Sequence, residues 1–435
     1  MKGDIKFQRP LNAEQKKLFG NMRAAIESDG IDTVSFEMFE MLVLRPYFDR
    51  LDVGIFMERE FKDVYIGSKT FYELRCAAEK SVSEKSQKKL KPFNMEDIYE
   101  KLMKLGKISD SSRRKLMERE CELEEYFCFP RKTGRELFEL AKTEGKKVVI
   151  TADTYLPRKT VESILQNCGY NGYDALYITS GEGIAKSPDG ALFRKICEDM
   201  KLVPNKALHF GCSFEADAEA PIRQGMKAMF ITSCRDRLVK SGRLCGFIQK
   251  ELMFDFNEAK HISLRCILGI YAAYAFDCPH SKTVHSDFCS DDYMLGFIIL
   301  GAMSRYKDYV VESELDAHIL GALSRLPNAV KGAEDFELMY DDIFSGASEK
   351  YGFSGCQLPF VYFARHGAIG DRMSIQKLLP PEILAEWADI VTEPEIAPVF
   401  TKHYEKNALS RFADKLFPHG SKIRTILDRI IAKLH

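Results

Sequence analysis

Four residues that carry nitrogen or sulfur donors, Cys278, His280, His285 and Cys289, fall within twelve positions of one another, a set whose natural ligand is zinc. Structural zinc sites usually pair their ligands more tightly, as CxxC, and no such pair occurs in the chain, so a polar loop is the competing account. Lys186 stands in a turn-rich stretch, Lys186-Ser187-Pro188-Asp189-Gly190, just ahead of helical text. A lysine so placed, with amides at helix N-termini, binds an anion without a metal, or else simply faces solvent. Asp217 falls in the first turn of a helical stretch beginning near Glu215, where a carboxylate caps backbone amides. Near the end, residues 421–435 place Ile423, Ile426, Leu427, Ile430, Ile431 and Leu434 on one helical face, flanked by Lys422, Arg424, Arg429 and Lys433. A basic amphipathic helix of this kind rests on an anionic membrane surface or packs on its own domain or a second subunit.

The elements that must position these groups are legible in the apolar pattern. Leu11 to Ile26 reads as a helix closed by Ser28-Asp29-Gly30. Short apolar runs at 32–36, 147–151, 175–179, 207–210 and 228–231 read as buried strands, and helical stretches at 157–167, 190–200 and 215–224 separate the last four. Strands alternating with helices predict an α/β Rossmann-like parallel sheet covered on both faces, with its ligand site at the carboxyl ends of the strands. The gap after the first strand is too long for a crossover. It has helical periodicity through Phe71, Leu74, Ala77 and Ala78, then Ile98, Leu102 and Leu105, then Leu116 to Phe127, which predicts an inserted helical cap. The expected organisation is an N-terminal helix (1–30), a core (31–50 and 142–244), a cap (51–141) and a mostly helical C-terminal domain (245–435) whose best strand candidate is 359–363.

Composition excludes several classes of function. The 435 residues are 45% apolar and 29% charged, the balance of a folded globular protein of more than one domain. Lys and Arg number 63 against 64 for Asp and Glu, so no global field draws the chain to nucleic acid. The N-terminal residues lack the apolar core of a signal peptide. The longest apolar runs, 267–276 and 294–303, reach only about half of the roughly twenty residues that a membrane span needs. A cytoplasmic location is expected, peripheral to the inner membrane face if the tail binds it, and the twelve cysteines are expected as reduced thiols.

Five stretches, in order, resemble the haloacid-dehalogenase-like (HAD-like) hydrolases. Val34 to Arg45 (VSFEMFEMLVLR) is similar to the SFDxFDTLLLR first motif of a branch found beside bacterial glycosyltransferases of surface-polysaccharide synthesis. Phe71 to Glu79 matches in the cap, Thr151 to Pro157 at the second motif, Lys186 to Phe193 (compare KxTGxLF) at the third, and His209 to Asp217 (compare HIGDNxxSD) at the fourth. The resemblance spans roughly residues 31 to 232. It implies an aspartyl nucleophile ending the first strand, Mg2+ shared with a fourth-motif aspartate, and a hydroxyl and a lysine holding the phosphoryl oxygens. Tyr362 to Gly367 also resembles the RHG motif of histidine phosphatases, although the branch often reads FLARDG at a similar place, which makes His366 a substituted aspartate.

Set against that pattern, the nucleophile position is Glu37, the first-motif threonine is Met41, the second-motif hydroxyl position is Ala152, and the metal-binding aspartate is Cys212. Thr151 takes over the hydroxyl only if the strand end shifts register. Lys186, Asp217 and Asp153 remain, with one extra residue between Lys186 and Gly190. A lengthened acid misplaces in-line attack by roughly an ångström, and a thiol suits magnesium poorly. The metal set Glu37, Cys212 and Asp217 is therefore expected to hold no ion, and no cofactor is expected, with Mg2+ required if the protein is active. The resemblance implies a catalytically impaired phosphatase fold that serves as a scaffold or regulatory partner, with a glycosyltransferase or other polysaccharide-assembly protein as its partner. Two alternatives stay open: an active Mg2+-dependent phosphomonoesterase on a small metabolite with Glu37 as nucleophile, and a metal-independent module binding a sugar phosphate through Lys186.

Overall fold

The computed structural model describes residues 17–47, 49–61, 69–89, 91–187, 189–240 and 262–277. The Cys/His cluster at 278–289, the strand candidate at 359–363, His366 and the amphipathic tail at 421–435 lie outside the described residues.

After helix α1 (residues 17–27), strand β1 (Thr33–Glu37) occupies the middle of a five-stranded parallel sheet ordered β5-β4-β1-β6-β7. Its partners are β4 (Lys147–Ala152) and β6 (Ala207–Gly211), with β5 (Ala175–Ile178) and β7 (Lys227–Phe230) at the edges. All five residues of β1 are buried, as a strand covered on both faces requires. On one face, Leu192, Phe193 and Ile196 of α9 (Ala191–Asp199) pack with Val149, Tyr177 and Ala207. Phe36 stacks on Phe210 with ring centroids 5.4 Å apart and tilts toward Phe138 of α6 (Lys132–Thr143) at 6.3 Å. Between β5 and α9 lies the single turn α8 (Thr179–Glu182), and α7 (Arg158–Asn167) follows β4.

The cap leaves and returns through two adjoining strands, β2 (Val43–Leu44) and β3 (Phe129–Pro130), paired antiparallel. Between them run α2 (Val53–Glu60), α3 (Phe71–Lys89), α4 (Met95–Gly106) and α5 (Asp110–Phe127). Asn94 forms a capping box with Asp97 at the start of α4, and Ser109 caps α5. Leu105, expected on the buried face, is 37% exposed, because α4 ends one residue later at Gly106 and Lys107 turns left-handed at φ 48°. The cap's interior is partly polar. Arg75 makes a bidentate pair with Glu120 (2.7 and 3.0 Å) and a third bond to Glu79 (2.8 Å), while the hydroxyls of Tyr99 (2.5 Å) and Tyr155 (2.7 Å) also donate to Glu120. Burial works against charge on Glu120, but Arg75 and the two hydroxyls outweigh it and hold the carboxyl below its usual range. Tyr155 comes from the loop after β4, so this network fastens the cap to the sheet.

Beyond β7, α11 (Cys234–Lys240) is followed by the buried helix α12 (Ile262–Phe276). The expected boundary at 244/245 assigns this helix to the C-terminal domain; it lies close against the turn before the cap, where a Cβ on Gly269 would meet the carbonyl oxygen of Pro46 at 1.8 Å. Among the described residues no helix is long and apolar enough to cross a membrane.

Gly134 makes a comparable close approach under the turn that follows β1. A Cβ there would lie 2.2 Å from the carbonyl oxygen of Met41 and 2.9 Å from Leu42 Cα, both backbone atoms that cannot swing aside. Gly134→Ala is expected to lower stability by about 2–3 kcal/mol, read as a lower urea midpoint with an unchanged slope.

Candidate functional site

The carboxyl ends of β1, β4 and β6 bring Glu37, Thr151 and the Gly211–Asp217 turn together, with Lys186 reaching in from the loop between α8 and α9. Glu37 Oε2 accepts the Thr151 hydroxyl at 2.7 Å and a bond from Lys186, and Oε1 accepts the amide of Asp153 at 3.0 Å. Thr151 needs no register shift to do this. It is the residue directly paired with Glu37 in the parallel ladder, so it, and not Ala152, presents a hydroxyl to the acid. Asp153 in turn accepts from Thr179 at 2.9 Å.

Lys186 also pairs with Asp217, and its side chain is only 2% exposed, which removes the reading of a solvated loop lysine. Asp217 Oδ2 accepts the amides of Cys212 (2.9 Å) and Ser213 (2.8 Å), and Oδ1 meets Lys186 and His209 Nε2 (3.4 Å). The helix cap is Ser213, whose hydroxyl accepts from Ala216 at the start of a π-turn, Phe214–Glu219, that leads into the short α10 (Ala220–Arg223). Asp217 therefore braces the preceding turn and does not cap the helix.

Two further buried groups complete the site, His209 and Arg131. His209 is fully buried, and burial lowers its pKa and keeps the ring neutral. The tautomer that satisfies both neighbours donates from Nε2 to Asp217 and accepts at Nδ1 from the Ser35 hydroxyl, 2.9 Å away. Arg131, also fully buried, donates from Nη1 to the carbonyl of Glu40 (2.5 Å) and to Cys212 Sγ (3.8 Å). His209 opens the stretch that resembles the fourth motif, but nothing in its spacing marked it as a partner of Asp217. For Arg131 the sequence offered no cue.

Charge follows from burial and these partners. Burial, reinforced by Asp217 and Asp153, pushes the Glu37 carboxyl up to about 7 even though Lys186 pulls it down. Burial disfavours charge on Lys186 and on Asp217 as well, but their pairing outweighs it, so the ammonium is raised above and the aspartate held well below the ordinary value. Burial drives the Cys212 thiol far up, which leaves it neutral beside Arg131.

A divalent cation does not fit this donor set. Magnesium takes about six hard oxygens in near-octahedral array. Here every oxygen of Glu37 and Asp217 already accepts one or two hydrogen bonds, the third position is a neutral thiol, and an ammonium lies between the acids. Among the described residues no group of three or more His, Cys, Asp or Glu side chains is placed to hold a metal ion.

The Glu37 titration has a measurable sign. The unfolded chain releases this proton near 4.5 and the folded one near 7, so the folded state is favoured while the proton is on and loses stability as pH rises through that window. Asp217, depressed in the fold, acts in a separate window, losing its contribution below its ordinary value of 3.8. Wild-type stability is expected to fall by on the order of 2–3 kcal/mol between pH about 5 and about 8. In Glu37→Gln that slope should vanish, as urea midpoints across the range would show.

No protein-family model matches the sequence, and no curated protein matches it. Solved structures do resemble it. L-2-haloacid dehalogenase from Xanthobacter autotrophicus is 14% identical, with 51% of this chain and 88% of that one covered at a TM-score of 0.35. A predicted phosphoglycolate phosphatase from Haemophilus somnus is 15% identical over 47% and 86% of the two chains, TM-score 0.34. A haloacid dehalogenase-like family hydrolase from Xanthomonas campestris is 13% identical over 47% and 82%, TM-score 0.33.

Proposed function

We propose that this chain is a HAD-like hydrolase fold that no longer transfers phosphoryl groups and acts as a scaffold or regulatory partner. The observation that carries this reading is the position of Lys186, buried between Glu37 and Asp217. In the family's chemistry the two acidic positions share a cation that neutralises the developing charge on the phosphoryl group. In this chain the charge of both acids is met by a lysine that belongs to the protein, and Arg131 bonds the sulfur at the third position. Attack by Glu37 would also require an ionised, unencumbered carboxylate, yet its two oxygens accept three hydrogen bonds and it is half protonated near pH 7. An incoming phosphate dianion would meet two carboxylates and one ammonium, which disfavours the metal-independent sugar-phosphate site as well. Surface-polysaccharide assembly as the process, with a glycosyltransferase as partner, rests on the first-motif resemblance.

The test is a panel of phosphomonoesters assayed with Mg2+. No turnover above that of Glu37→Ala is expected, and turnover that Glu37→Ala abolishes would establish the phosphomonoesterase. Thermal-shift measurements with sugar phosphates separate scaffold from binder, since a ligand of the native state raises Tm. The scaffold reading expects no shift.

A further inference from the structure

One ion pair joins residues far from the sheet to the site. Asp277, immediately after α12, is 2% exposed and uses both carboxylate oxygens: Oδ1 accepts from Arg131 Nε at 2.8 Å and Oδ2 from the amide of Thr133 at 3.0 Å. A carboxylate at the C-terminal end of its own helix opposes the helix dipole, so this placement needs compensation from elsewhere. It is found at the N-terminus of α6, where the N-cap residue, Arg131, makes no side-chain cap bond and Asp277 supplies the missing acceptor from 144 positions away.

The other side of the Arg131 guanidinium faces the site. Nη1 bridges the carbonyl of Glu40 and the sulfur of Cys212, which belong to the turns that follow β1 and β6. Glu40 has φ 65°, a left-handed conformation that a residue with a side chain holds only when its surroundings fix it. The same turn is tied by the Arg131 amide to the Leu42 carbonyl (2.7 Å) and by the Tyr170 hydroxyl to that carbonyl (2.6 Å). Glu37 lies three residues before Glu40, and the Cys212 amide is one of the two that hold Asp217.

We infer that Asp277 is a positioning residue for the Glu37–Asp217 site: through Arg131 it fixes the turns after β1 and β6, so the site is completed by chain that lies beyond the sheet. The inference goes beyond the scaffold reading and holds whether or not the site turns over a substrate. Arg265 and Asp52 supply an internal control, since their buried pair (2.8 Å) anchors the same helix to the cap entrance instead.

The test compares Asp277→Asn with Asp52→Asn in the full-length protein, by hydrogen exchange resolved to short peptides and by the alkylation rate of Cys212 read by mass spectrometry. Asp277→Asn is expected to speed exchange at 38–42 and 212–217 by about tenfold or more and to accelerate Cys212 labelling. Asp52→Asn should lower Tm while leaving those two turns as protected as in the wild type. Should Asp277→Asn fail to fold, Arg131→Lys replaces it, because lysine keeps the charge facing Asp277 but cannot bond Glu40 and Cys212 as well; the same two turns should loosen. Unchanged protection of both turns in the folded variant, or equal loosening by the Asp52 control, overturns the inference.

Discussion

Lys186→Met is expected to be the most damaging single change at the site, lowering stability by about 3–5 kcal/mol at mildly alkaline pH, because it strands buried carboxylates without their counter-charge. The loss has a characteristic pH dependence. Glu37 already titrates near 7 with the ammonium beside it, so removing the ammonium moves the carboxyl further up. At pH about 5 Glu37 is protonated in the variant and in the wild type, and only Asp217 is left uncompensated, partly held by two backbone amides and His209. The deficit should therefore grow as pH rises. Urea unfolding at pH about 5 and about 8 checks it, and a deficit below about 1 kcal/mol at both values would show that Lys186 does not neutralise the pair.

The second large effect is a gain. Glu37→Asp combined with Cys212→Asp shortens the acid by a methylene, which draws it away from Lys186, and replaces a neutral thiol with a hard oxygen donor, two of the features that disfavour magnesium. The double variant is expected to bind Mg2+ saturably in the millimolar range, with a Tm that rises as the Mg2+ concentration passes through that range. Either single variant should remain indifferent, since one correct ligand leaves the set incomplete. Turnover is not expected to return, because the threonine position of the first motif stays Met41.

The sheet was legible because its strands are short, apolar and separated by helical text, and the same pattern correctly brought the ends of β1, β4 and β6 to one place. The motif resemblance named Glu37, Lys186 and Asp217 as site positions, and the three meet in the structure. Which hydroxyl faces Glu37 did not. Counting along the motif pointed to Ala152, whereas the parallel register pairs Glu37 with Thr151, and register is set by the neighbouring strand. Arg131 and Asp277 were invisible for a stronger reason: they are 146 positions apart and no periodicity links them. The polar interior of the cap was likewise hidden, since no spacing joins Arg75 to Glu120, which are buried as a mutually satisfied pair.

In this chain the protein's own lysine already meets the charge of the two acids. Calorimetric titration of the wild-type protein with Mg2+ tests it most directly. No saturable heat at millimolar concentrations and no change in Tm are expected, whereas one tightly saturating site, lost in Glu37→Ala and in Asp217→Asn, would show that a cation and not Lys186 neutralises the acids.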